Sequence, residues 1–206
     1  MTSSAPAPHL RREQVAGMNI HYIMWSFDYF LDVQQRLGFK TIELWAAEPH
    51  VTLDHTGYFE ADELRRKIES RGLSVSSLCP ENVVYPWQYA ARKPLHAQRS
   101  LAYFKHGIEL AEVLGAPYMS INSGWGDWDE DREEAWKRSA EHLSTLADYA
   151  GEHGVTLCME SLRPEESNLV VTLADARRML DQVDSPHLTP MVDTTARGRD
   201  PGRLVR

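Results

Sequence analysis

EHGVTLCME (Glu152–Glu160) is the stretch from which the fold can be read. Its polar start closes a helix-like segment, Gly154 ends it, and an apolar strand-like run follows that stops at an acid, Glu160. Glycine suits the left-handed residue just past a helix end. The same order of helix, glycine and strand recurs in RLGFKTIELW around Gly38, SRGLSVSSLC around Gly72 and VLGAPYMSIN around Gly115. This repetition predicts consecutive βα units and a parallel sheet.

Between the glycines the apolar residues fall at helical spacing. Leu101, Phe104, Ile108 and Ala111 share one face, and so do Trp136, Ala140, Leu143, Ala147 and Ala150. Asp129 to Asp131 and Glu133 to Glu134 crowd the start of the second of these helices, where the dipole favours negative charge. Six strands are expected, around Gly17–Trp25, Thr41–Trp45, Leu73–Leu78, Tyr118–Asn122, Val155–Glu160 and Leu188–Asp193, joined by five helices without a hairpin. Two architectures fit this α/β cadence: an open doubly wound sheet, or part of a (β/α)₈ barrel. A phosphate-cradling glycine loop is absent from the sequence. A whole barrel takes about 250 residues, so a barrel reading gives about six of eight strands.

The chain has 206 residues and a formal net charge of -8, with no long run of one sign. That speaks against a nucleic-acid binder, which needs a basic face. No apolar run approaches the roughly 18 to 20 residues of a membrane span. Residues 1–14 lack an apolar signal core and read as a flexible tail, with one domain over 15–206 and a cytoplasmic location expected. Cys79 and Cys158 lie in apolar runs and read as buried free thiols.

Two acids stand at strand ends in successive units, Glu160 and Asp193. Side chains alternate along a strand. Val155, Leu157 and Met159 therefore face the helices, while Thr156, Cys158 and Glu160 face the other side. Asp193 shares a face with Met191 and Thr189. A carboxylate after a buried strand is costly unless a partner or a metal satisfies it, so the pair suggests one metal site at the C-terminal edge of the sheet, where ligands gather in both architectures. Taken singly, each acid fits a loop-forming or capping residue equally well. Further pocket candidates are His21, His50, Glu81, Tyr85, Trp87, Asn122 and Trp125. Glu43 shares a face with Thr41 and Trp45 and is expected to be a buried, hydrogen-bonded acid.

The segments IELWAAEPH (Ile42–His50), CPENVVYPW (Cys79–Trp87), MESLRPEESN (Met159–Asn168) and DSPHLTPMVDT (Asp184–Thr194) resemble, in order, the xylose isomerase-like barrel family of sugar isomerases and epimerases. Within it, the likeness is greatest to fructoselysine 3-epimerase-type proteins. The resemblance implies a (β/α)₈ barrel of the TIM type and a divalent metal held by Glu, Asp, His and Glu. Mn²⁺ is the first candidate, with Co²⁺, Mg²⁺ or Zn²⁺ as the others. Glu160 and Asp193 match the first two ligands; the His and second Glu would come from a seventh and an eighth strand. By the same resemblance Glu160 is the catalytic base and Glu166 holds the sugar's carbonyl-carbinol region. In the family a His often follows the Asp in free ketohexose epimerases; here Thr194, Thr195, Ala196 and Arg197 follow Asp193, which speaks against a free ketohexose and leaves a fructosamine-type or another sugar derivative open.

The implied chemistry is proton removal beside a ketone, through an enediolate, with inversion at C3. A carboxylate can take that proton when shielded and correctly placed, and epimerisation needs a second acid on the opposite face. With only Glu160 of the pair present, the chain alone is not expected to epimerise. One alternative is a truncated, non-catalytic sugar-binding barrel. Another is a zinc-dependent DNA-repair endonuclease on the same fold, disfavoured by the acidic charge and by histidines placed away from strand ends. Unpaired strand edges in an incomplete barrel predict a homo-oligomer or aggregation.

Overall fold

The structure is a computed structural model describing residues 10–83 and 87–194. Six strands form one sheet: β1 (Gly17–Met18), β2 (Thr41–Ala46), β5 (Ser74–Pro80), β6 (Tyr118–Ile121), β7 (Thr156–Glu160) and β8 (Leu188–Met191). They pair in that order, every neighbour parallel. A doubly wound sheet reverses its strand order at a switch point; this one never does. Helices α1 (Phe27–Arg36), α2 (Ala61–Glu69), α3 (Pro94–Val113), α4 (Arg132–Glu152) and α5 (Leu173–Val183) pack each against the next. They form one outer layer, as right-handed crossovers in a sequential parallel sheet require. The result is the wall of a TIM-type barrel, six strands long, with β1 and β8 as its outermost strands.

The periodicities explain the packing. Leu157 and Met159 are fully buried against the helices, while Thr156, Cys158 and Glu160 on the other face are half-buried. On β2 the same division puts Ile42, Leu44 and Ala46 into the helix layer and leaves Glu43 half-buried on the axis side. Trp136, Ala140, Leu143, Ala147 and Ala150 of α4 are all buried, as is the Phe104–Ile108–Ala111 face of α3. Gly38, Gly72, Gly115 and Gly154 each have φ between 67° and 77°, the left-handed exit from a helix that a side chain disfavours. Asp131 caps α4, accepting from the Glu133 amide at 2.8 Å. Cys79 and Cys158 are free; burial pushes the Cys79 thiol up to about 12, so it is inert as a nucleophile at neutral pH.

Two expectations are corrected. The first strand does not run from Gly17 to Trp25: it ends at Met18, and Asn19–Tyr22 form a 3-10 turn. The buried Asn19 side chain takes over the strand's role. Its Oδ1 accepts from the Trp45 amide at 2.7 Å and its Nδ2 donates to the Trp45 carbonyl at 3.0 Å. The chain is also not free of hairpins. β3 (Leu53–Asp54) and β4 (Gly57–Tyr58) pair antiparallel between β2 and α2. Asp54 Oδ1 accepts from both the amide and the hydroxyl of Thr56 at 2.6 Å, which closes the turn. Of the expected tail, residues 1–9 lie outside the described residues, and Arg12–Gln14 form a 3-10 turn.

Candidate active site at the strand ends

β7 carries Glu160 to its last position, facing the axis, one strand away from the end of β8. Asp193 follows two residues after β8 ends. No donor among the described residues hydrogen-bonds the Glu160 carboxylate. Burial, then the negative charges of Asp193, Glu166 and Glu43, push its pKa from 4.5 up to about 7. The acids expected at one site thus do act on one another. Glu166 is drawn in by the tight loop after β7: the Arg163 guanidinium binds its carboxylate and the Arg163 amide donates to it at 3.1 Å. That hydrogen bond to Arg163 keeps the Glu166 pKa low, so Glu166 is the ionised partner and Glu160 the group that holds a proton longest.

This donor set suits a hard divalent cation. Like charges that crowd one another are relieved by positive charge, and oxygen ligands suit Mg²⁺ and Mn²⁺. Among the described residues no group of three or more His, Cys, Asp or Glu side chains is placed to hold a metal ion. Glu160 and Asp193 bring oxygen donors of the kind such an ion takes.

The other candidates divide. His50 is held on both ring nitrogens, by Asn19 Nδ2 at 3.0 Å and the Trp25 carbonyl at 2.8 Å. Its Nε2 carries the proton, because a carbonyl only accepts. It braces the mouth of β1 and β2. His21 sits exposed in the 3-10 turn. Glu81 accepts from the Trp45 indole at 3.2 Å and the Val83 amide at 3.3 Å. Trp87 stacks on Tyr103, rings 4.1 Å apart. Asn122 is buried and wholly used: it donates to the Asn82 carbonyl at 2.6 Å and side-chain oxygen at 2.8 Å, and accepts from the Gly124 amide at 2.7 Å. It shapes the loop after β6. Tyr85 lies outside the described residues. Glu43 has no hydrogen-bond donor among the described residues, contrary to expectation, and burial raises its pKa.

Sequence reasoning missed the residues that lock the loops together. Ser167 Oγ donates to the Gly124 carbonyl at 2.7 Å. Asn168 exchanges two bonds with Gly126, accepting from its amide at 2.8 Å and donating to its carbonyl at 2.9 Å. Arg132 reaches from α4 to the carbonyls of Asn168 and Leu169. The loop bearing Glu166 is therefore anchored to the loop bearing Trp125. The signals in the sequence were the polar run ESN (Glu166–Asn168) and the glycines of SGWG (Ser123–Gly126), far apart along the chain and not read by periodicity.

The xylose isomerase-like TIM barrel family profile matches residues 31–196. The chain belongs to that family. It is 29% identical over 160 residues to a fructoselysine 3-epimerase of Shigella flexneri, a match covering 78% of this chain and 58% of the relative. It is 24% identical to a D-psicose 3-epimerase of Enterocloster bolteae, over 89% of this chain and 64% of that protein. The chain thus spans less than two thirds of the length of these relatives. Among solved structures, a 3-keto-D-glucoside 4-epimerase from E. coli superposes with a TM-score of 0.76 at 17% identity, covering 92% of this chain and 71% of the other. An L-ribulose 3-epimerase gives 0.74 at 21% identity, covering 91% and 63%. At these identities the structural likeness establishes the barrel fold alone.

Proposed function

We propose that this family member acts as a metal-dependent sugar epimerase that inverts C3 of a ketose or a fructosamine-type substrate. The observation that carries the reading is the Glu160 carboxylate, half-buried at the open end of a barrel strand with Asp193 and Glu166 acting on it. A shielded carboxylate in that position suits proton abstraction beside a carbonyl. The names of the curated relatives support the substrate class.

In this reading Glu160 and Asp193 hold a divalent cation, Mn²⁺ first, which when bound supplies positive charge beside the substrate's carbonyl and hydroxyl oxygens. Glu160 takes the C3 proton, and the substrate passes to an enediolate. Glu166, fixed by Arg163, accepts hydrogen bonds from the sugar hydroxyls. The loop joined through Ser167 and Asn168 keeps Glu166 in position and limits water at the reacting carbon. Inversion requires a second acid on the other face of the sugar, which Glu160 cannot supply. The described residues therefore account for half of the reaction, and a homo-oligomer would cover β1 and β8.

The test is exchange of the C3 hydrogen in deuterated water, followed by NMR, with D-fructose and a fructosamine, Mn²⁺ present. Proton exchange abolished by E160Q, with no inverted product, is the expected result for the 206-residue chain. Formation of the inverted sugar by this chain alone would overturn the single-base account. Absence of any exchange, with folded protein and bound metal, would sink the epimerase reading. A zinc-dependent nuclease and a purely sugar-binding barrel are the other outcomes, read by phosphodiester cleavage and by sugar binding without exchange.

A further inference from the structure

A second cavity lies at the same end of the barrel, between the segment after β5 and the segment after β6. Its volume is about 760 Å³, in the range of small-molecule sites. It meets the cavity that contains Glu166 at two shared residues, Trp125 and Asp127. Trp125 borders both cavities. Gln88 holds its backbone: the Gln88 amide donates to the Trp125 carbonyl and its oxygen accepts from the Trp125 amide at 3.4 Å.

The wall supplied by the start of α3 is cationic. Arg92, Lys93 and Arg99 line it, with His96 among them as a neutral neighbour in the charge count. The facing acids balance only part of this charge. Glu130 is taken by Arg138 at 2.6 Å. Arg92 stands 3.8–3.9 Å from Asp127, Asp129 and Glu130 and is the cation these acids neutralise. Lys93 and Arg99 have no ion pair among the described residues. Arg99 Nε is shielded from solvent and has no acceptor there. A buried guanidinium donor without an acceptor is costly, and a carboxylate or phosphate oxygen is the ligand atom that satisfies it. A neutral sugar would leave this wall unmatched.

We propose that this cavity is a second subsite, which binds an anionic group, carboxylate or phosphate, carried at the far end of the sugar substrate. The inference rests on the sugar reading of the Glu160 cluster and extends it: the ring sits on the Glu166 side of Trp125, and the charged tail passes that residue to Lys93 and Arg99. Lys93 and Arg99 are specificity residues in this scheme and take no part in proton transfer.

The test is calorimetric titration of the 206-residue chain, with Mn²⁺, against D-fructose, D-fructose 6-phosphate, N-fructosyl-6-aminohexanoate and inorganic phosphate. One or both charged ketoses should bind about tenfold more tightly than fructose, as a charge-assisted contact provides; the one that gains identifies the anion. K93Q, at an exposed position, and R99Q should each erase most of that preference and leave fructose binding unchanged, with circular dichroism confirming the fold. Raising the salt should weaken only the charged ligands. Equal binding of charged and neutral ketoses by the unmodified chain, or a preference that survives both substitutions, overturns the subsite. Phosphate binding that K93Q and R99Q remove, in a chain that binds no ketose, supports the anion site and refutes the sugar reading instead.

Discussion

Replacing Glu160 by Gln should make the metal-free chain more stable at pH 8, although it removes a residue of the candidate site. The folded chain holds the Glu160 proton up to about pH 7, whereas an unhindered glutamate releases it near 4.5. Between those values the folded state binds more protons than the unfolded one, so stability falls as pH rises. Below 4.5 the cost is absent; above 7 it is complete. The interval corresponds to roughly 3 kcal/mol. Glu160 is half-buried, so solvent screening reduces the figure to about 1–2 kcal/mol. Gln keeps the shape and removes the charge. Urea unfolding in EDTA, followed by circular dichroism at pH 4.5, 6 and 8, measures the difference between the two proteins. The stabilisation should be near zero at pH 4.5 and reach about 1–2 kcal/mol at pH 8. A variant that is equally or less stable at pH 8 would refute the account of crowded acids around Glu160.

Three further outcomes follow from the geometry. In the absence of substrate, Mn²⁺ at about 100 times its dissociation constant should stabilise the chain by about 2.7 kcal/mol; E160Q and D193N should each remove that response, and a response that persists in both places the ion elsewhere. N19A strips three hydrogen bonds from Trp45 and His50 and should cost about 2–4 kcal/mol in urea unfolding, whereas a loss under 1 kcal/mol (roughly one exposed hydrogen bond) would mean that β1 holds without it. G124A places a Cβ 2.7 Å from Gln88 Oε1 at a φ of +65° and should cost about 1–3 kcal/mol; an unchanged midpoint and unchanged Trp125 fluorescence would show that this loop yields.

The barrel wall was legible because its signals are local. Four glycines at positive φ mark the helix ends, and the alternation in VTLCME sends Leu157 and Met159 to the helices and Glu160 to the axis. The early end of β1 was not legible, because the residue that replaces it, Asn19, bonds to Trp45, 26 positions away. The hairpin at Leu53–Tyr58 escaped for a different reason: each strand has two residues, too few for a period to register.

The sequence by itself determined the succession of strands and helices along the chain, the face each residue presents and the strand end at which Glu160 stands, since these depend on neighbours along the chain; the spatial order of the strands, which separates a barrel wall from a doubly wound sheet, came with the tertiary structure. Only the tertiary structure decided what Glu160 is. Its raised pKa comes from burial and from Asp193, Glu166 and Glu43, carried by other strands and loops. In the same way, His50 became a brace and Asn122 a loop former only once folding brought their partners within hydrogen-bond distance. Electrostatic environment is a property of distance in space, and the chain's local pattern does not encode it.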